Sequence, residues 1–181
     1  MKHLFKPFTF LLLPIFLFTS LAINAQSFPE SWKGKWAGDL EIWEFNEKKN
    51  TFPMSLEILP KDTAWTFTIS YLWDPDNPDI RRYSLVTIQD NIGHYAIDEH
   101  NSIILDSYLN GNCFYTSFGG LGSELLTRIC KKGDELEYEI NSAKSDPIRV
   151  SGDTVIGQDT IPAIKSYSVF HLMKAVLEKV E

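Results

Sequence analysis

From Gly34 onward the chain runs in short stretches of alternating apolar and polar residues, each stopped by turn residues after eight to twelve positions. A period of two is what a strand with one buried face needs, because successive side chains point to opposite sides of a sheet. Trp65-Thr66-Phe67-Thr68-Ile69-Ser70-Tyr71 shows it most plainly. The spacing predicts strands near 35–45, 51–59, 64–73, 80–89, 93–98, 102–109, 112–118, 124–131, 134–141 and 166–177. Between them stand Asp74-Pro75-Asp76-Asn77-Pro78-Asp79, Asn110-Gly111, Gly119-Gly120-Leu121-Gly122 and Lys132-Gly133-Asp134, residue types that set tight turns. Short connections make consecutive strands antiparallel neighbours, and closing the meander on itself removes its exposed edges. The expected fold is all-β, a single antiparallel up-and-down barrel of about ten strands.

Two segments are less direct. Val169, Met173, Val176 and Val180 would line a helix face, whereas Tyr167, Val169, His171, Met173 and Ala175 would line a strand face. The strand is preferred, since the meander needs a last strand to close against the first. Residues 142–163, with Pro147, Gly152, Gly157 and Pro162, read as a long ordered excursion.

Ahead of the first strand lies a basic start containing Lys2 and Lys6. An uncharged run from Pro7 to Ala22 follows, then Ile23-Asn24-Ala25-Gln26. This pattern predicts a secretory signal peptide over 1–25, cut after Ala25. Pro14 and the shortness of the run argue against a membrane span. The expectation is an exported, soluble protein, periplasmic or extracellular, with no membrane anchor and one domain over 26–181. Losing Lys2 and Lys6 takes the net charge from −7 to −9. An acidic chain with no Lys/Arg cluster lacks the footprint of nucleic-acid binding.

Turn chemistry sets an expected register. A two-residue turn at Asn110-Gly111 places Leu109 opposite Asn112 and Asp106 opposite Tyr115. A loop from Gly120 to Ser123 then sets Cys113 opposite Cys130, and in an oxidising compartment that pair predicts a cross-strand disulfide. A loop at Glu99 to Ser102 sets Asp98 opposite Ile103. On this register one face holds His94, Asp98, Leu105, Phe114, Thr116, Phe118, Ile129 and Tyr138, and its apolar weight turns it inward. Tyr95, Ile97, Glu99, Asp106, Tyr108, Tyr115 and Arg128 fall on the other face, so Asp98 and Asp106 are expected on opposite sides of the sheet.

The stretch Tyr95-Ala96-Ile97-Asp98-Glu99-His100-Asn101-Ser102-Ile103-Ile104-Leu105-Asp106 crowds three carboxylates and a histidine together. Acid–base chemistry needs such groups to flank one bond. With Asp98 and Asp106 separated by the sheet, the reading is a hairpin tip first and a catalytic pair, Asp98 with His94 or Glu99 with His100, last. Asp74, Asp76 and Asp79 do not make a calcium loop, because Pro78 and Asp79 occupy its fifth and sixth positions. The histidines show no metal-ligand spacing, so neither metal nor cofactor is expected.

Trp32-Lys33-Gly34-Lys35-Trp36-Ala37-Gly38 precedes and opens the first strand. A glycine there permits a tight turn into the strand, and a large ring at Trp36 can plug one end of a barrel. Gly34-Lys35-Trp36 resembles the G-x-W of lipocalins, and Gly34, Trp36 and Gly38 resemble the G-x-W-x-G of nitrobindin-like proteins. Both belong to the calycins. The resemblance implies a ligand-holding barrel in which Phe28 to Trp32 form a short cap and Trp32, Gly34 and Trp36 close one end. It departs from the lipocalins in lacking their T-D-Y and a clear late arginine to stack on Trp36. For nitrobindin-like proteins it further implies haem held by a histidine of the last strand, here His171.

The expected function is therefore binding of a small apolar or amphipathic molecule among His94, Asp98, Leu105, Phe114, Thr116, Phe118, Ile129 and Tyr138. The alternative is a filled barrel that meets a protein partner through Tyr95, Tyr108, Tyr115 or its long loops.

Overall fold

The computed structural model describes residues 27–180; the expected signal peptide lies outside them. In chain order the strands are β1 (Gly34–Glu44), β2 (Glu47–Ile58), β3 (Pro60–Lys61), β4 (Ala64–Tyr71), β5 (Asp79–Gln89), β6 (His94–Asp98), β7 (Ile104–Asn110), β8 (Cys113–Gly120), β9 (Ser123–Lys132), β10 (Glu135–Ser151), β11 (Thr154–Ile156), β12 (Asp159–Ile161) and β13 (Ile164–Lys179). Two short 3₁₀ turns, Glu30–Trp32 and Asp90–Ile92, complete the elements. Every pairing in the barrel is antiparallel and runs between chain neighbours, apart from three. β2 pairs with β4 across the short β3, β10 pairs with β13 across the β11–β12 hairpin, and β1 pairs with β13 to close the barrel. The ten expected strands are the staves of this barrel, and the ambiguous C-terminal segment is its last strand.

One end of the barrel is packed shut. Phe28 meets Trp32, Tyr95 and Phe114 at ring centroid distances of 4.9, 4.9 and 5.0 Å. Trp36 is 1% exposed, and its indole N–H donates to the Trp32 carbonyl at 2.8 Å. The cations over its ring are two lysines, Lys131 and Lys179, at 4.6 and 5.6 Å from the centroid. The motif glycines do separate work. Gly34 has φ 132°, a conformation that side chains resist. Gly38 lets the Val176 backbone of β13 approach so closely that an added Cβ would lie 2.2 Å from its carbonyl oxygen.

The disulfide forms as the register required. Cys113 pairs directly with Cys130 across β8 and β9, and the two are bonded. At the β7–β8 hairpin the register differs from expectation by two: Asn110 faces Cys113 and Tyr108 faces Tyr115, because the turn is made by Gly111 and Asn112. An even slip leaves each side chain on its expected face.

At β6 the slip is odd, and it matters. Asp98 pairs with Ile104 and Tyr95 with Ser107, because the loop runs through Ile103 and so has five residues where four were expected. His100 and Ser102 take positive φ, 60° and 76°. Glu99 N–H donates to the Ile103 carbonyl at 3.1 Å, and the Asp98 and Asn101 side chains accept from the N–H groups of His100 and Ile103. A one-residue slip exchanges the two faces of a strand. Tyr95 and Ile97 therefore point into the core, 1% and 7% exposed, and Glu99 follows them. His94 and Asp98 turn outward, on the same face as Asp106, correcting both the inward placement of the first two and the separation of the two aspartates.

The excursion over 142–163 is a continuation of the barrel rather than a loop. β10 and β13 run on together past the last β9 and β1 partners, through irregular register around Pro147, to Ser151 opposite Ile164. The small hairpin of β11 and β12 forms the tip. The result is a two-stranded ribbon standing off the open end.

Candidate functional site

The closed half of the barrel is solid. Trp36, Leu40, Leu56, Ile58, Leu85, Tyr95, Leu136 and Leu177 have essentially no exposure. Toward the other end the filling stops short. An apolar hollow of about 70 Å3 is lined by Phe67, Ile97, Leu105, Phe114, Phe118 and Ile129 among others. Above it a cup of about 370 Å3 opens to the surface between Phe52, Trp73, Asp79, Leu125, His171 and Met173. Tyr71, Arg81 and Ile140 line both spaces, so they mark the neck between them.

The elements explain why these groups meet. Alternation along β5 puts Leu85 in the core, hence Tyr83, Arg81 and Asp79 on the same inward side as the strand rises to the rim. Asp79 pairs with Tyr71 and Arg81 with Ile69. The Asp79 carboxylate accepts from Arg81 Nε and Nη2 at 3.1 and 2.9 Å, and the guanidinium lies 4.9 Å from the Tyr71 ring centroid. Burial is the largest single influence and works against the Arg81 charge, but the Asp79 hydrogen bond and the neighbouring Tyr71, Asp79 and Tyr83 together outweigh it and the pKa rises. Across the neck the Tyr71 and Tyr138 hydroxyls lie 2.7 Å apart. Both rings are buried, at 4% and 2% exposed, and burial pushes both phenol pKa values up. Tyr83 is raised as well, by burial and then by the charge of Glu99. Deeper in the wall, Ser107 and Thr116 satisfy one another at 2.7 Å.

Of the residues expected to line the interior, Leu105, Phe114, Thr116, Phe118, Ile129 and Tyr138 all face the hollow. His94 and Asp98 do not. His94 Nε2–H meets the Asp106 carboxylate at 2.7 Å and stacks on Tyr108 with ring centroids 4.6 Å apart. Asp98 caps the hairpin tip, and His100 bonds Ser84 at 3.1 Å. The four groups serve the hairpin and its outer wall rather than one reacting bond. Tyr95, expected on an outer aromatic face, is core; its hydroxyl donates to Asp90 at 2.8 Å, and burial raises its pKa first of all. Tyr71, Tyr83, Arg81 and Trp73 were missed as site residues. The alternation of the 64–73 and 80–89 strands carries a signal for them, but alternation by itself does not say which face of β4 and β5 turns inward.

His171 faces the cup from the last strand. Below it the Tyr71–Tyr138 bridge narrows the interior to the 70 Å3 hollow, which leaves no slot for a porphyrin edge, so these residues do not fit haem. Among the described residues no three His, Cys, Asp or Glu side chains gather as a metal site, and no helix is long and apolar enough to cross a membrane. A larger concavity of about 720 Å3 lies on the outer wall. Its charged groups other than Asp39 are paired with one another: Lys48 and Lys174 with Glu41, Arg128 with Glu137 and Glu139.

Fold and site together define a ten-stranded antiparallel barrel, plugged at one end and cupped at the other. No family model matches the chain, and no curated protein matches it.

Proposed function

We propose that this chain is an exported, calycin-like binding protein that takes up a small apolar or amphipathic molecule through the open end of its barrel. The observation that carries the reading is a rim cup and a mainly apolar hollow that share Tyr71, Arg81 and Ile140 as lining, with a few polar groups such as Glu99, Thr116, Asp79 and His171 set among the apolar ones. Ligand sites combine such an apolar lining with a few orienting polar groups. The Gly34-Trp36-Gly38 pattern at the plugged end supports the calycin-like part, and the Cys113–Cys130 bond fits the oxidising compartment that export reaches.

Native mass spectrometry of protein purified from its own cells tests the reading, run beside the same sample after denaturation. An added mass lost on denaturation supports a carrier. Phe118→Trp, which fills the hollow, is expected to lower recovery of that mass while leaving the fold intact. Equal recovery from variant and parent argues against an interior site.

One observation favours a protein-interaction role as a second reading. The ribbon exposes Ile148, Val150, Val155, Ile156, Ile164 and Tyr167, each at least 45% accessible, and apolar exposure gathered on one element, unlike singly scattered residues, marks contact surfaces. Replacing residues 154–161 with a two-residue turn is the test. If parent and variant sediment alike over a wide concentration range, the ribbon gives no self-association.

A further inference from the structure

Among the described residues, the neck of the barrel brings one more hydrogen-bond donor than it brings acceptors for. Tyr71 and Tyr138 each bring a hydroxyl with one proton, and their pKa values are raised by burial, so both stay protonated at neutral pH. Only one of those protons lies between the two oxygens. Among the described residues neither hydroxyl has another partner. Each oxygen thus has one bond, consistent with the absence of wholly unpartnered side-chain atoms, but the second proton points away from the pair. Both rings line the hollow, and Tyr71 also lines the cup. A buried donor left unmade costs about 1–3 kcal/mol, so an acceptor brought in from outside is worth holding.

The charge of that acceptor follows from its surroundings. Among the described residues Arg81 is the one Lys or Arg at the neck, and Asp79 already holds it through two N–H groups. Glu99 adds a second carboxylate to the same wall. With two carboxylates to one guanidinium, a further anion meets net repulsion, while a neutral oxygen does not. The room on either side sets the shape. The hollow of about 70 Å3 is roughly twice the share of liquid volume that one water occupies, enough for a small apolar group. The rest of the molecule must lie in the cup, against Trp73, Phe52 and Met173.

Resting on the binding role proposed above, we infer that the ligand is a neutral carbonyl compound, a ketone, ester or amide. Its oxygen accepts the spare Tyr71/Tyr138 proton at the neck, and its apolar ends fill hollow and cup. The site selects against carboxylates of the same shape.

Three matched probes test this by chemical-shift titration of the labelled protein at neutral pH: 4-phenyl-2-butanone, butylbenzene and 3-phenylpropanoate. The ketone is expected to shift resonances of Tyr71, Arg81 and Phe118 and to bind about fivefold more tightly than butylbenzene, the yield of one ordinary hydrogen bond. The carboxylate should bind more weakly than the ketone. Tyr71→Phe and Tyr138→Phe should each keep the ketone preference, because either hydroxyl alone still has a proton to donate. The double variant should lose it. That variant removes both partners and leaves the apolar shape, so it is expected to fold. Equal affinity for ketone and hydrocarbon in the parent, or a preference that survives in the double variant, overturns the inference and leaves the binding role standing. Tightest binding by the carboxylate overturns the charge argument and with it the inference. No shift at the cup with any probe overturns the binding role itself.

Discussion

Gly38→Ala isolates the seam where the first strand meets the last. An ideal Cβ at Gly38 falls 2.2 Å from the Val176 carbonyl oxygen and 3.3 Å from Leu177 Cδ2. Carbon and oxygen in such inter-strand contacts rest at about 3.3 Å or more, so the shortfall is on the order of 1 Å. Leu177 can adjust by rotation, but the carbonyl belongs to β13 itself. Relief therefore means parting β1 from β13, which pair on both sides of this point at Ala37–Glu178 and Glu41–Lys174. Overpacking of this kind costs about 1–3 kcal/mol, and for a domain of this size 1 kcal/mol moves Tm by about 2–4 °C. The expected drop is then about 4–8 °C for a cost near 2 kcal/mol, with a lower urea midpoint and an unchanged m-value. Gly120→Ala is the control, since nothing lies within 4 Å of its Cβ; it should stay within about 0.5 kcal/mol of the parent. If the two variants melt together, β13 does not approach β1 as described, and the steric role assigned to Gly38 is wrong.

Three further outcomes follow from the geometry. Replacing Cys113 and Cys130 together by Ala opens a loop of sequence separation 17 and should cost about 3 kcal/mol in urea unfolding; the parent should show no alkylatable thiol, and two would refute the bond. The Glu41 carboxyl is held at about 2, below its ordinary 4.5, first by the Lys48 hydrogen bond and then by the Trp43 indole N–H. A folded-state pKa below the unfolded one gives stability that is present above pH 4.5 and lost as pH falls toward 2, and a carbon NMR titration should find the midpoint rising in Lys48→Met; identical midpoints would remove Lys48 as the cause. Because β6 is turned, His94→Ala and Asp98→Asn should change stability by less than about 1 kcal/mol and leave probe affinity alone, whereas Ile97→Asp buries an unpaired carboxylate and should unfold the barrel; a tolerated Ile97→Asp would restore the original register.

The pattern of these results shows how far local chemistry reaches. Alternation in the chain was enough for ten antiparallel strands and for a closed barrel, because each strand must hide one face and the meander must hide its edges. The bulk of Trp36 beside Gly34 placed it at the plugged end, turn chemistry placed the Cys113–Cys130 pair, and turn register with alternation turned six of the eight expected interior residues inward. At Asn110-Gly111 the register was off by two and nothing was lost, since a period of two restores every side chain to its face. At Glu99 to Ile103 it was off by one, and His94, Asp98, Tyr95 and Glu99 all changed sides. Loop length there depends on His100 and Ser102 accepting positive φ, a local choice that flanking strands enforce and that Ser, Asn and His do not announce. The ribbon is similar: Pro147 and the glycines around 152 and 157 mark breaks in pattern, yet only β13 lying alongside β10 keeps that stretch paired. The Tyr71–Tyr138 contact joins residues 67 positions apart. Alternation says that both point inward; only the curvature that closes the barrel brings their hydroxyls together across the neck.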